Sequence, residues 1–265
     1  KGRCMMECVI QSLWIGPTLS LVEQLCIRSH IYHGHRFVLY TYSDVKDVPE
    51  GVEIRDANDI LDESKIFRTH NGSVAHFSDW FRWVMLFKVG GFWVDMDLIA
   101  LKNFDENEEL IFGNERYGKV NISCLKFPKG HFMAKYMADA CENPNHILKY
   151  DPMRTRIKKI LRYYVFGNKR SNVGWGEAGG PVGFRKALKH FNLGHIAKET
   201  PYFYPIPADS WRHIFDDFHQ KFPSFLNDSF GIHLWNEHIR RNKKDNILSS
   251  CSNQSIFTVL LKKYM

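Results

Sequence analysis

Asp95 and Asp97 are the two residues whose types and spacing most directly suggest chemistry. They stand one residue apart, directly after an apolar run that ends at Val94. Neighbouring carboxylates repel each other unless a cation or hydrogen-bond donors compensate them. Such hard oxygen ligands suit Mg²⁺ or Mn²⁺, which also bind phosphates. The alternative is two solvated surface carboxylates, but a place at the carboxyl end of a strand, where open α/β sheets bind ligands, favours a metal site.

A helix is predicted immediately before this pair. Apolar residues recur at helical spacing over Val74–Val89. Ser73 stands where an N-cap residue is expected, and Gly90 and Gly91 follow where a left-handed residue ends a helix.

The segment after these glycines, Phe92–Ala100, is predicted to be one strand. Its period of two places Trp93, Asp95 and Asp97 on the same face. The two carboxylates would then be close enough to share one cation.

Asp79 and Arg82 stand three residues apart on the predicted helix and therefore share a face. One interpretation is an ion pair on the solvated side, which contributes a few tenths of a kcal/mol. The other is that both side chains point at a bound substrate, with Arg82 gripping sugar hydroxyls or phosphate. The spacing does not decide between them.

The segment from Ser78 to Phe104 resembles the central motif of the DXD-motif glycosyltransferases. These include α-1,4-galactosyl- and α-1,4-N-acetylglucosaminyltransferases, the initiating α-1,6-mannosyltransferase of yeast, many bacterial polysaccharide-synthesis enzymes and, distantly, the glucosylating domains of clostridial toxins. The matching positions are Ser78, Asp79, Arg82, Gly90, Gly91, Phe92, Trp93, Asp95 and Asp97.

Two flanking segments extend the resemblance to the donor site. The first predicted strand ends in Trp14, Ile15 and Gly16, and a tryptophan at this place in the family stacks on the nucleotide base. On its residues alone, a core aromatic is the favoured interpretation of Trp14. The resemblance further implies that Ser78, Asp79 and Arg82 bind the donor sugar, and that Asp95 contacts ribose or metal.

Near the other end of the chain, Gly231–Asn236 resembles the family's His-x-Trp-Asn segment. The resemblance implies that His233 holds the metal or the diphosphate, that Trp235 covers the phosphates, and that Asp95, Asp97 and His233 are the metal ligands. The toxins carry an acidic ligand where this chain has Phe230, which leaves further ligands open.

A glycine-rich stretch, Gly174–Pro181, precedes a predicted helix. Gly180 and Pro181 match a Gly-Pro pair that lies near the donor sugar and acceptor in the family. Glu177 is interpreted either as a carboxylate facing the acceptor or as a solvated loop residue.

The order of predicted elements indicates an α/β fold. A helix over 18–30 opening with Pro17, then strands over 36–42 and 51–55, imply an open, mostly parallel sheet with helices on both faces. The resemblance identifies this as the GT-A nucleotide-sugar-binding fold. We expect one domain, residues 1–265, with a nucleotide-sugar-binding half (1–104) and an acceptor-side half (105–265) carrying the carboxyl-terminal metal segment.

Composition is that of a globular protein with a basic surface. Of the 265 residues, 44% are hydrophobic and 25% charged, and the net charge of +7 favours anionic partners. Residues 153–170 contain seven Lys/Arg, with Ile157, Ile160, Leu161 and Tyr164 forming one helical stripe. This segment is either a peripheral membrane contact or a surface helix whose stripe packs in the core. There is no nucleic-acid recognition motif, and we expect no nucleic-acid partner.

The cysteine pattern bears on the cellular location of the protein. The six cysteines lack a Cys-x-x-Cys pattern, and we interpret them as reduced thiols of a cytoplasmic protein, peripheral on the inner face of the membrane. The alternative is a Golgi lumenal catalytic domain whose anchor has been removed.

Together these features predict a metal-dependent glycosyltransferase in which Asp79, Arg82, Asp95 and Asp97 are catalytic, and the resemblance alone implies that it retains the sugar's configuration. Mn²⁺ or Mg²⁺ would be the cofactor, and a UDP-linked sugar the donor of a hexose or N-acetylhexosamine. The acceptor would be a glycan or lipid-linked saccharide, as in bacterial O-antigen or capsule synthesis. A glycosylating effector acting on a protein and a non-catalytic nucleotide-sugar-binding protein are the alternatives.

Overall fold

Eight strands form two sheets in the computed structural model, which describes residues 8–104, 107–116, 118–217, 224–242 and 247–265. The strands are β1 (Val9–Trp14), β2 (Arg36–Thr41), β3 (Val52–Asp56), β4 (Gly91–Val94), β5 (Leu98–Ala100), β6 (Ile111–Arg116), β7 (Lys119–Phe127) and β8 (Gly231–His233). The α-helices are α1 (Leu21–Tyr32), α2 (Ala75–Lys88), α3 (Phe132–Glu142), α4 (Met153–Tyr164), α5 (Pro181–His190), α6 (Asn236–Arg241), α7 (Ile247–Ser250) and α8 (Ile256–Tyr264).

The larger sheet has the strand order β3-β2-β1-β4-β7-β6. The first four strands run parallel, and β7 and β6 pair antiparallel to their neighbours. Strands from both predicted halves of the chain therefore share one sheet. The prediction of an open, mostly parallel α/β sheet is confirmed.

Apolar side chains fill both faces of this sheet, which is why helices cover both. Helices α1 and α8 belong to one core with Ile10 and Phe37. Helices α2, α3 and α5 belong to the other with Trp93 and Phe127. Strands buried on both faces lose the alternating pattern that a half-exposed strand shows. Among the described helices, none has the length and apolar character needed to cross a bilayer.

The prediction of one strand over Phe92–Ala100 is wrong. Strand β4 stops at Val94, the chain turns through Asp95–Asp97, and β5 then pairs antiparallel with β8 in a second, two-stranded sheet. Residues on both sides of the turn are buried. A continued strand would have carried the aspartates into the core, whereas the turn leaves Asp95 partly exposed to solvent.

Two helix starts also differ from their predictions. Val74, not Ser73, is the N-cap of α2, although the Ser73 hydroxyl still accepts the Ala75 N–H at 3.1 Å. Helix α1 begins at Leu21 after the N-cap Ser20, because the Glu23 carboxylate accepts the Ser20 N–H at 2.8 Å. Pro17 therefore lies outside the helix.

Helix α2 ends just before Gly90 and Gly91, as predicted. Gly90 has a φ of 77° after the last turn of α2, and a Cβ there would lie 2.4 Å from the Lys129 nitrogen. Only glycine combines that conformation with that close approach.

Helix α4 forms as predicted, but it exposes apolar side chains and buries charged ones, which is the reverse of an ordinary surface helix. Ile157, Ile160, Leu161 and Tyr164 are exposed, and the charged Lys159 and Arg162 are buried. The interpretation that this apolar stripe packs in the core is therefore wrong.

Of the described cysteines, Cys26, Cys124, Cys141 and Cys251 are free thiols. Burial raises the pKa of Cys26, Cys124 and Cys141 well above its ordinary value, so these three thiols are unreactive structural residues. Cys4 lies outside the described residues.

A buried histidine pair joins α1 to β2. His30 Nε2 lies 3.1 Å from the Leu98 carbonyl, the two Nδ1 atoms lie 3.2 Å apart, and the Phe104 N–H donates to His35 Nε2 at 2.9 Å. This chain of bonds is complete when His30 carries its proton on Nε2 and His35 on Nδ1. Both rings are then neutral, and burial lowers the pKa of His35 to about 4 and that of His30 well below its ordinary value.

We predict that this pair makes stability fall as pH falls from about 6.5 to about 4. In that window the unfolded histidines bind protons that the folded ones do not, and His35 alone should cost about 2 kcal/mol between pH 7 and pH 5. Urea unfolding of wild type and His35→Gln at both pH values measures this. His35→Gln should lose much less stability than the wild type on acidification. Other titrating groups, such as Asp79, contribute equally to the wild type and the variant. An equal loss of stability in both would contradict the role given to His35.

Candidate active site

Asp95 is oriented by two donors that share one of its oxygens. Arg82 Nη2 donates to Asp95 Oδ1 at 2.7 Å, and the Trp93 indole N–H donates to the same atom at 2.9 Å. The Asp95 N–H also donates to the Ser123 carbonyl at 2.7 Å. Within the described part of the chain, Oδ2 has no partner, so it is the oxygen left for a ligand.

Arg82 is itself held firmly. Its side chain is buried, donates from Nη1 to the Ile122 carbonyl at 2.8 Å, and lies 4.9 Å from the Trp93 ring centre. The interpretation of Asp79 and Arg82 as a solvated ion pair is wrong. Arg82 donates to Asp95 and to the backbone, and its Nε–H is buried without a partner among the described residues.

Asp97 is fixed by groups from the carboxyl-terminal region. Its Oδ2 accepts the Asn236 backbone N–H at 2.8 Å, and its Oδ1 lies 3.2 Å from His233 Nε2. Burial opposes ionisation of Asp97, but His233 and the Asn236 N–H outweigh it and keep its pKa below the ordinary value. Asp97 is therefore an anion at neutral pH.

The left-handed backbone conformation of Trp235 brings the Asn236 N–H to Asp97. With a φ of 57°, Trp235 turns the chain from β8 into α6, so that the N–H of the next residue meets Asp97. Such a conformation costs a non-glycine residue roughly 1–2 kcal/mol. The Trp235 ring is buried, donates to the Ile206 carbonyl at 2.9 Å and packs 4.3 Å from the His233 ring, which offsets that cost.

Asp95, Asp97 and His233 form a group that could hold a metal ion. One potential ligand atom from each lies within 4.8 Å of the others. Two carboxylates and an imidazole suit Mn²⁺ better than a purely oxygen-seeking ion. The ring's other nitrogen, His233 Nδ1, is buried without a partner in the described chain.

Glu23 is a supporting residue that the sequence analysis did not identify. This buried carboxylate accepts the Asn236 side-chain amide at 2.9 Å and Arg240 at 3.1 Å, besides capping α1. Its spacing after Ser20 is that of a capping box, the one signal that could have drawn attention to it.

Asp79 lies behind Arg82, 3.5 Å from its guanidinium, next to the partly exposed Ser78. It lines a small cavity with His76 and Glu177. Burial raises the pKa of Asp79 to about 6, despite the opposing charge of Arg82. Asp79 therefore gains a proton as the pH falls through about 6, and in that form it can donate as well as accept a hydrogen bond.

Glu177 is not a solvated loop residue. It binds Lys158 at 2.5 Å and Arg162 at 2.6 Å. Burial would raise the pKa of Glu177, but these two cations lower it to about 2. The carboxylate thus ties α4 to the glycine-rich loop.

Gly180 and Pro181 begin α5. Gly180 is the N-cap and Pro181 the first helical residue. A Cβ on Gly180 would lie 2.5 Å from the Gly176 Cα, so only glycine fits. The preceding Gly179 lines the cavity beside Asp79 and accepts the Trp83 indole N–H at 2.6 Å.

Trp14, Ile15 and Gly16 lie at the same edge of the sheet as Asp95. Strand β1 pairs with β4 in parallel, with Gln11 opposite Trp93, so Trp14 follows at the carboxyl end. The Trp14 indole N–H is buried without a partner in the described residues, and a Cβ on Gly16 would lie 3.2 Å from it. The glycine therefore leaves room beside the indole.

Two family models match the segments that build this site. Residues 23–116 match the "Glycosyltransferase sugar-binding region containing DXD motif", and residues 193–264 match the "Alpha 1,4-glycosyltransferase conserved region". One segment supplies the two aspartates and the other His233. These two matches confirm the resemblance to the DXD-motif glycosyltransferases.

Lactosylceramide 4-alpha-galactosyltransferases are among the proteins similar to this chain. The protein from Pongo pygmaeus is 26% identical over 172 residues, covering 60% of this chain and 66% of that protein. The Homo sapiens protein is 25% identical over 172 residues, covering 60% of this chain and 41% of that protein. The chain therefore spans less than two thirds of the length of these relatives.

Among solved structures, the "PaToxG Glycosyltransferase" is 14% identical and aligns over 85% of this chain and 88% of that one, with a TM-score of 0.42. This is a distant likeness.

We predict that Trp93→Phe raises the metal concentration needed for half-maximal activity by about tenfold. The change removes the donor that orients Asp95, and loss of a partner of a metal ligand typically weakens metal binding by 10–100-fold. Metal titration of activity measures it. Trp80→Phe is the matched control, since Trp80 is buried in the same core but has no contact with Asp95; equal shifts in both variants would contradict the positioning role.

Proposed function

We propose that this protein is a metal-dependent, retaining glycosyltransferase that uses a UDP-sugar donor. The observation that carries the proposal is the convergence of Asp95, Asp97 and His233, from distant parts of the chain, at the carboxyl edge of a nucleotide-binding type of sheet. Two neighbouring carboxylates repel a diphosphate unless a cation lies between them and it.

Mn²⁺ or Mg²⁺ is the proposed cofactor, held by Asp95, Asp97 and His233. When bound, it supplies positive charge to the leaving diphosphate of the donor. The chain's own contribution is to hold its ligands ready. Arg82 and Trp93 fix Asp95 by hydrogen bonds to one oxygen, and the Asn236 N–H fixes Asp97.

Donor binding is assigned to the residues around this group. Trp14, with Ile15 and Gly16, would hold the base, supported by its position at the sheet edge and its unpartnered indole N–H. Ser78 and Asp79 would bind the sugar.

Arg82, Trp235 and the glycine loop have supporting parts. The contacts of Arg82 favour a role in orienting Asp95, with its Nε–H left for the sugar. His233 and the ring of Trp235 would border the diphosphate, and Gly180 and Pro181 the sugar and acceptor.

The names of the relatives favour galactose as the transferred sugar and a glycolipid as the acceptor. Lactosylceramide is a lipid-linked saccharide, so this supports the predicted acceptor class more than bacterial O-antigen or capsule synthesis. The intact carboxylate pair disfavours a non-catalytic binding protein. Transfer with retained configuration, a protein acceptor, and a cytoplasmic or Golgi lumenal location remain predictions of the sequence.

We predict that the protein slowly hydrolyses one nucleotide-sugar in the presence of Mn²⁺ and that Asp97→Asn lowers the rate by about 10²-fold or more. Asparagine can still accept the Asn236 N–H, so the fold should persist, but the anionic ligand is lost. The assay is hydrolysis of UDP-Gal, UDP-Glc, UDP-GlcNAc, UDP-GalNAc and GDP-Man, with UDP-Gal expected to be preferred.

Asp139→Asn, at an exposed aspartate paired with Lys135 on α3, should leave the rate unchanged. Undiminished hydrolysis by Asp97→Asn would refute the metal assignment. Failure of the wild type both to hydrolyse and to bind any of these donors, the latter measured by calorimetry, would refute the proposed function.

A further inference from the structure

Exposed apolar side chains are concentrated in one short segment of this protein. Of the sixteen large apolar side chains that are exposed in the described part of the chain, eight lie between Met153 and Phe166. They follow the outer face of α4 and continue past its end through Val165 and Phe166. Monomeric soluble proteins rarely leave so contiguous an apolar surface without a binding partner.

The spacing of these side chains is that of a helix lying on an apolar phase. Met153, Ile157, Ile160, Leu161 and Tyr164 fall within about 100° of arc at 3.6 residues per turn. The opposite side of α4 faces the protein, where Lys159 binds Asp151 at 2.7 Å and Arg162 binds Glu177 at 2.6 Å. The charged side is therefore the anchor of the helix and the apolar side its free surface.

Cations flank the apolar stripe. On an ideal helix Arg154 lies on one edge and Arg156 on the other. Arg156 donates to the backbone carbonyls of Lys149 and Asp151, and no carboxylate within the described ranges pairs with it. Arg154 lines an open groove of about 500 Å³ together with Ile157, Leu161 and Phe166.

The positive charge of the segment indicates which kind of partner can bind this apolar face. From Asp151 to Glu177 the sequence holds seven Lys/Arg and no acidic residue besides those two ends, which are engaged by Lys159, Lys158 and Arg162. A symmetric dimer through this face would place the same cationic surface against itself. A partner that is both apolar and anionic fits instead.

We propose that the outer face of α4, from Met153 to Phe166, docks on the surface of an anionic lipid bilayer. The aliphatic side chains enter the boundary of headgroups and acyl chains, Tyr163 and Tyr164 lie at the headgroup level, and Arg154 and Arg156 bind lipid phosphates. The inward contacts of Lys158 and Arg162 with Glu177 then orient the glycine-rich loop relative to the membrane.

Vesicle flotation tests this proposal without requiring enzymatic activity, so it succeeds or fails independently of the proposed function. The protein should bind vesicles of phosphatidylcholine with about 30% phosphatidylserine, bind pure phosphatidylcholine at least several-fold more weakly, and be partly released by salt. Ile157→Gln/Leu161→Gln should lower the partition coefficient by about tenfold or more.

The matched control is Leu21→Gln/Ile54→Gln, which removes apolar side chains of similar exposure elsewhere: 40% and 50%, against 51% for Ile157 and 43% for Leu161. Its binding should equal that of the wild type. Absence of vesicle binding, or equal loss in both double variants, would overturn the proposal. So would a dimeric mass in light scattering that Ile157→Gln/Leu161→Gln reduces to a monomer, since a second copy would then cover the face.

Discussion

The hydrogen bond from the Asn236 N–H to Asp97 is the contact on which the geometry of the site depends. It joins two residues 139 positions apart in sequence, next to the antiparallel pairing of β5 with β8. Because β8 carries His233, the same pairing brings the imidazole to the aspartate turn. The candidate metal group therefore exists only when the carboxyl-terminal region has folded onto the centre of the chain, and Glu23 secures that arrangement from α1.

Electrostatic compensation explains how two partly buried carboxylates remain close to each other. Each has its own donors: Arg82 and Trp93 for Asp95, and His233 with a backbone N–H for Asp97. Their mutual repulsion is thereby reduced before any cation binds, and their orientations are fixed in advance. The arrangement requires a left-handed backbone conformation at Trp235 and a buried guanidinium at Arg82. Both features cost free energy, and such costly features cluster at functional sites.

Local patterns in the sequence predicted α2, the glycine stop at Gly90 and the place of Asp95 and Asp97, because those depend on neighbours in the chain. The turn between β4 and β5 was not predicted, since strands buried on both faces show no alternation that reveals a break. The meeting of His233 with Asp97 followed from family resemblance alone, as no local pattern encodes a contact across the chain. Helix α4 shows the same limit: its stripe was evident, but which side faces solvent depends on Asp151 and Glu177.

Direct measurement of Mn²⁺ binding tests the shared metal site most closely. Electron paramagnetic resonance of free Mn²⁺, titrated with protein in the presence of UDP, should show one ion bound per chain. His233→Ala should weaken that binding by about tenfold or more, whereas His238→Ala, at a nearby histidine outside the group, should not. Equal affinity of wild type and His233→Ala for Mn²⁺ would contradict the account, because the carboxyl-terminal segment would then contribute no ligand.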